Sequence, residues 1–115
     1  MQRSRQRIAA ALAAAVLLAA AAPGRAEDLP NVAVTIKDHR FTPSEIHVPA
    51  GKPFTLTIKN EDPTAEEFDS SALKVEKVIA GGQSGRVRLR PLGPGRYPFM
   101  GEFHPDTAQG VVVSE

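Results

Sequence analysis

A thioether, a carboxylate and an imidazole fall close together near the end of this chain. They are Met100, Glu102 and His104, in the run Y-P-F-M-G-E-F-H-P-D-T-A-Q-G-V-V-V from Tyr97 to Val113. A second group of acids, E-E-F-D, occupies Glu66 to Asp69, and His39 stands in K-D-H-R-F. The chain has no cysteine, so any metal site must draw on His, Met and carboxylate groups. Carboxylates with one or two imidazoles suit Fe, Mn, Zn or Cu(II), and a methionine tilts the choice toward copper. A neutral imidazole is the commonest ligand among these, which makes His104 the leading candidate.

Spacing sorts the remaining candidates. Glu102 lies two residues before His104 and would share its face on an extended strand. Glu66 and Glu67 are adjacent, so a strand turns them to opposite sides and only one can enter a common pocket. Phe68 has the parity of Glu66 and belongs in a core, which favours Glu66 as the inward residue. Met100 is a ligand or a core filler, and alternation sets it opposite Phe99. His47, between Ile46 and Val48, alternates outward and reads as a surface residue. Asp69 stands further back as a supporting group.

Other chemistries find no purchase. Gly81-Gly82-Gln83-Ser84-Gly85 lacks the Lys-Ser/Thr pair and following helix of a phosphate loop. No serine-centred nucleophile motif is present. Arg86, Arg88 and Arg90 share one strand face at period two, as a solvated edge does.

The elements that must position these groups are short and extended. Val32, Val34 and Ile36 alternate with Ala33, Thr35 and Lys37, and Phe54, Leu56 and Ile58 alternate with threonine and lysine. Ile46–Val48, Val75–Ile79, Val87–Leu89, Arg96–Phe99 and Val111–Val113 supply further strands, separated by Pro and Gly. No apolar stripe of helical period is sustained, and Thr64–Lys74 alone leaves room for a helical turn. About eight short strands with regular turn signals predict an all-β sandwich.

Residues 1–26 are set apart. Arg3, Arg5 and Arg7 precede an apolar run from Ile8 to Ala22, and small residues lead to Ala26. That order is the signature of a cleavable secretory signal peptide, and the run falls short of the roughly 20 residues that span a bilayer. One domain, residues 27–115, is expected to remain, exported to the periplasm and not membrane-spanning. The leader holds four arginines and no acid, so its loss takes the formal charge from +1 to −3. Nucleic acid is therefore a poor candidate partner. So short a domain buries roughly 60–65% of its unfolded surface, and here it must do so without disulfides.

Several segments, in order, resemble the cupredoxins. F-T-P-S-E-I-H-V-P-A-G-K (Phe41 to Lys52) is similar to the opening of that domain. N-E-D (Asn60 to Asp62) resembles the loop before the family's upstream histidine ligand. P-L-G-P-G-R-Y-P-F (Pro91 to Phe99) resembles the approach to its C-terminal ligand loop, and G-V-V-V (Gly110 to Val113) its last strand. The resemblance implies a Greek-key β-sandwich. It sets the family's cysteine at Met100, its second histidine at His104, its axial methionine at Ala108 or Gln109, and its upstream histidine at Glu66 or Glu67. A blue-copper centre needs the thiolate, so this chain cannot build one.

Carboxylates stand instead where copper ligands would be. That pattern is similar to the cysteine-less cupredoxin-like proteins that accompany bacterial uptake systems for ferrous iron and other divalent metals. The resemblance implies an accessory that binds copper or iron and delivers it, or oxidises Fe(II), beside a membrane iron permease or a periplasmic metal-binding protein. The expected ligands are Glu66 or Glu67 with Glu102 and His104, aided by Met100, with His39 placed to reach the same end. The competing expectations are a metal-free sandwich that docks on a membrane partner and a general copper carrier.

Overall fold

A computed structural model describes residues 30–115; the expected signal peptide lies outside them. Nine strands follow one another: β1 Asn31–Lys37, β2 Arg40–Thr42, β3 Glu45–Val48, β4 Phe54–Asn60, β5 Glu66–Ser70, β6 Val75–Ile79, β7 Ser84–Leu89, β8 Gly95–Gly101 and β9 Gln109–Ser114. They form two sheets, β2-β1-β4-β7 and β3-β9-β8-β5-β6. The chain changes sheet after β2, β3, β4, β6 and β7, and the neighbours β1/β4 and β3/β9 run parallel. This is the expected all-β sandwich. Thr64–Lys74 contains no helix: Glu66–Ser70 is strand and the residues after it turn. Among the described residues no helix is long and apolar enough to cross a membrane.

Alternation sets the two inner faces. On β4, Phe54, Leu56, Ile58 and Asn60 are buried, and the residues between them look outward. On β5 the buried set is Glu66, Phe68 and Ser70. Phe41, Phe68 and Phe99 meet in the middle of the core, with ring centroids 4.8–5.9 Å apart. Two of these contacts are edge-to-face, the arrangement the ring quadrupoles favour. Phe99 packs against Gly110, its register partner on β9, where a Cβ would come within 2.3 Å of the ring. Replacing Phe68 or Phe99 by alanine costs about 3–5 kcal/mol, since neither backbone sheet can close on the void.

Candidate metal site

The site lies at one rim of the sandwich, where the β1–β2 turn, the β4–β5 loop and the β8–β9 loop converge. The β8–β9 loop is closed by its own backbone. Gly101 N–H donates to the Ala108 carbonyl at 2.8 Å, and His104 N–H donates back to the Gly101 carbonyl at 3.1 Å. The His104 carbonyl then accepts from the Thr107 and Ala108 amides. Proline at 105 and small residues from Thr107 suit so tight a turn. The loop carries the His104 ring inward over the end of β5.

Glu66 meets it there. Its side chain is 1% exposed, the most deeply buried acid of the described residues. Oε2 lies 2.6 Å from His104 Nδ1, and Oε1 accepts from the amides of Phe103 and Glu67 at 2.9 Å each. A buried carboxylate is costly unless such partners surround it. Gly101, opposite Phe68 on β8, makes room for it: a Cβ at 101 would come within 2.6 Å of the Glu66 carboxyl carbon. The glycine is required by close approach, and its φ is unexceptional.

His39 completes the rim. Its ring stacks on His104 with centroids 3.5 Å apart and planes 11° apart. It reaches that place through an unusual turn in which Asp38 and His39 both have positive φ, 52° and 59°. Such a pair of non-glycine residues needs outside support, and Asp62 provides it. Its Oδ1 accepts from the Asp38 amide at 2.7 Å and its Oδ2 from the His39 amide at 2.9 Å. Burial pushes the Asp62 carboxyl upward, but these two amide bonds, with the nearby charges of His39 and Lys37, hold the group below the usual carboxylate range. Asn60, wholly buried, anchors the loop by accepting from Asp62 N–H and donating to the Thr64 and Ile79 carbonyls.

The side chains named from the sequence thus fall into two groups. Glu66 and His104 meet at the rim, with His39. Glu67, Met100 and Glu102 do not join them. Met100 pairs with Asp69 across β8 and β5 and shares its outward parity, 38% exposed beside a groove of about 330 Å³. Glu102 does not share the face of His104, because β8 ends at Gly101 and the alternation stops there. Its amide bonds to the Glu67 carbonyl, and its carboxylate faces Glu67 on the outside of the sheet. Partial desolvation, then the charges of Glu102, Glu76 and Asp69, raise the Glu67 carboxyl above its ordinary range. Among the described residues no three His, Asp or Glu side chains are already gathered around one ion-sized point.

Sequence reasoning gave Asp62 no role. The N-E-D motif marked its loop, but the left-handed turn it braces lies some twenty residues earlier and leaves no local signal. Asn60 was missed because it also bonds to the Ile79 carbonyl, nineteen residues further on.

Two sheets of this order, with a histidine loop between the last two strands, define a cupredoxin-type sandwich. The chain belongs to the cupredoxin-like domain family, whose model matches residues 8–114. It is 42% identical over 87 residues to an uncharacterized protein of Rickettsia prowazekii, covering 76% of this chain and 70% of that one. Among solved structures it is similar to a Cu(I) amicyanin variant, at 23% identity and TM-score 0.61, over 74% of this chain and 82% of that one. It is also similar to the metal-binding domain of the Streptococcus pneumoniae Cu(I)-exporting ATPase CopA, at 16% identity and TM-score 0.66, over 74% and 84% of the two chains. Auracyanin A, a blue copper protein of Chloroflexus aurantiacus, matches at 16% and TM-score 0.63, over 74% and 98%. At these identities the likeness is one of fold.

The copper such a fold implies can be tested against the donors present. A His₂Cys centre does not fit, since no cysteine exists. A site built on imidazole nitrogen fits: Nδ1 of His104 is engaged by Glu66, Nε2 has no hydrogen bond among the described residues, and the His39 ring stands against that of His104.

Proposed function

We propose that this protein binds copper or iron at the His104–His39 rim and hands it on, as an exported accessory to metal uptake. The observation that carries the reading is the buried Glu66–His104 bond with His39 stacked on the ring. Two half-buried histidines at one rim of the sandwich, one backed by a carboxylate, form a good ligand set. A metal lies in the plane of an imidazole that binds it, so rings stacked at 11° cannot both address one ion. His39 must swing to join His104, and such a site exchanges its metal more readily than a rigid one. That favours delivery over electron transfer, for which a thiolate centre is also missing.

Copper is the tighter-bound candidate, because nitrogen sites follow the rising affinity order that peaks at Cu(II). Iron is favoured by a different observation: the only sulfur close in sequence, Met100, faces away from the rim, and carboxylates frame both sides of β5. On that reading the partner is a membrane iron permease or a periplasmic metal-binding protein. Calorimetric titration with Cu(II), Cu(I) and Fe(II) tests both. The expected result is one site per chain that His104→Ala removes. Unchanged affinity for every metal in that variant would defeat the assignment. Absence of any binding would leave the fold as an interaction module for a membrane partner.

A further inference from the structure

Resting on the metal-binding reading, we infer that Glu66 does not touch the metal: it is a positioning residue that fixes the tautomer of His104 and so selects Nε2 as the ligand atom. Three of the four acceptor directions of Glu66 are occupied, and Oε2, which holds the open one, is closed in by the β8 backbone at Gly101. Oε1 takes two backbone amides, from residues 67 and 103, and Oε2 takes the imidazole. The carboxylate is wholly enclosed and lies against the β8 backbone at Gly101. An ion about 2 Å from either oxygen would have to displace a backbone amide or the His104 ring, or press into the β8 backbone at Gly101. A carboxylate has no proton to give, so the 2.6 Å bond requires the proton to sit on Nδ1. The neutral ring then carries its lone pair on Nε2.

Asp62 does the corresponding work for His39. Its hydrogen bonds go to the backbone and not to the ring; they hold Asp38 and His39 in the left-handed turn that presents that ring. Both acids come from Asp62–Glu66, the stretch that resembles the family's upstream ligand loop. In this chain that loop orients two histidines that stand on other elements.

Glu66→Gln separates positioning from ligation without a large change of shape. The glutamine oxygen is drawn to the two backbone amides at the Oε1 position. Its NH₂ then faces His104 Nδ1, which must become the acceptor, and the proton moves to Nε2. Long-range ¹H–¹⁵N correlation on the metal-free, ¹⁵N-labelled protein reads the tautomer directly. The expected result is Nδ1–H in the wild type and Nε2–H in Glu66→Gln, with metal affinity lowered roughly 10–100-fold, as loss of an orienting partner does.

Zn(II), a diamagnetic probe, should then shift the Nε2 resonance of the wild type and leave the Nδ1 proton in place. A wild-type ring protonated on Nε2, or loss of the Nδ1 proton when Zn(II) binds, would overturn the inference. Should Glu66→Gln fail to fold, the wild-type spectra with and without Zn(II) decide the matter alone. Failure of the wild type to bind any metal would instead overturn the functional reading, while the metal-free spectrum still decides which nitrogen Glu66 holds.

Discussion

Both sides of β5 carry acids, and the two sides behave in opposite ways. On the inner side Glu66 is enclosed, with two amides and an imidazole converging on it. On the outer side Glu67, Asp69, Glu76 and Glu102 stand near one another, with Asp69 directly opposite Glu76 across the β5–β6 pair. Like charges in register are destabilising, and no cation interleaves these four among the described ion pairs. One residue step along a strand separates the two environments. Acid content alone does not make this site; donors aimed from the neighbouring loop do.

The sharpest way to break the contrast is to remove the imidazole. His104→Ala should lower rim metal affinity by more than the roughly 100-fold that loss of an orienting partner costs, as read by calorimetry. Glu102→Ala and Met100→Ala, on the outer side, should change that affinity less than twofold. A large loss in either outer variant would mean that metal is held across the sheet and that the rim pair is incidental.

Stability should divide in the same way. Glu66→Ala leaves the amides of Glu67 and Phe103 and the His104 ring without their acceptor inside a closed core. Breaking a buried pair on one side costs about 3–5 kcal/mol, and each buried donor left unmet adds to the loss. The measurement is urea unfolding, in which the midpoint should fall sharply while the slope holds. Gly101→Ala attacks the same enclosure from the other strand. Its Cβ would sit 2.6–2.7 Å from the Glu66 carboxyl group and the Ala108 methyl, so a loss of about 1–3 kcal/mol is expected for overpacking. A Gly101→Ala variant as stable as the wild type would show that the carboxylate has room to move, and with it room for an ion.

Asp62 makes a smaller test of the rim, with a pH signature. Its folded-state pKa is lowered by the amides of His39 and Asp38. Its contribution to stability is therefore fully present above the ordinary carboxylate range, about 3.9, and is lost as pH falls through the depressed folded value. Asp62→Asn should flatten that acid limb and cost about 1–3 kcal/mol at neutral pH by breaking one of the paired amide bonds. An unchanged acid limb would show that other carboxylates dominate it.

Much of this was legible before any coordinates, and the parts that were not share a cause. Alternation in Phe54–Ile58 and the parity of Phe68 were enough to place β4 and to turn Glu66 inward, because a period of two is enforced wherever one face is buried. The same parity failed for Glu102, since it assumes that a strand continues. Here β8 stops at Gly101, and the amide of His104 folds back onto the carbonyl of that residue. His39 had a position but no partner in the sequence: its stack on His104 joins elements 65 residues apart through the conformation of one turn. That conformation depends on Asp62, a residue whose local sequence suits a turn in any setting.

The smallest effect tests the outer side by itself. Glu67 has its pKa raised in the folded protein by desolvation and by Glu102, Glu76 and Asp69. The folded state thus holds a proton that the unfolded chain releases earlier. Stability must fall as pH climbs from the ordinary carboxylate range through the raised folded value. This is opposite in sign to Asp62, although only a few residues separate the two acids. Glu67→Gln removes the charge and should raise the melting temperature slightly at pH 7, with no gain at pH 3.5, where the wild-type group is already protonated. Rim metal affinity should stay the same. If Glu67→Gln instead lowered the melting temperature at pH 7, the outer acids would be gathered around a cation, and the two sides of β5 would be alike after all.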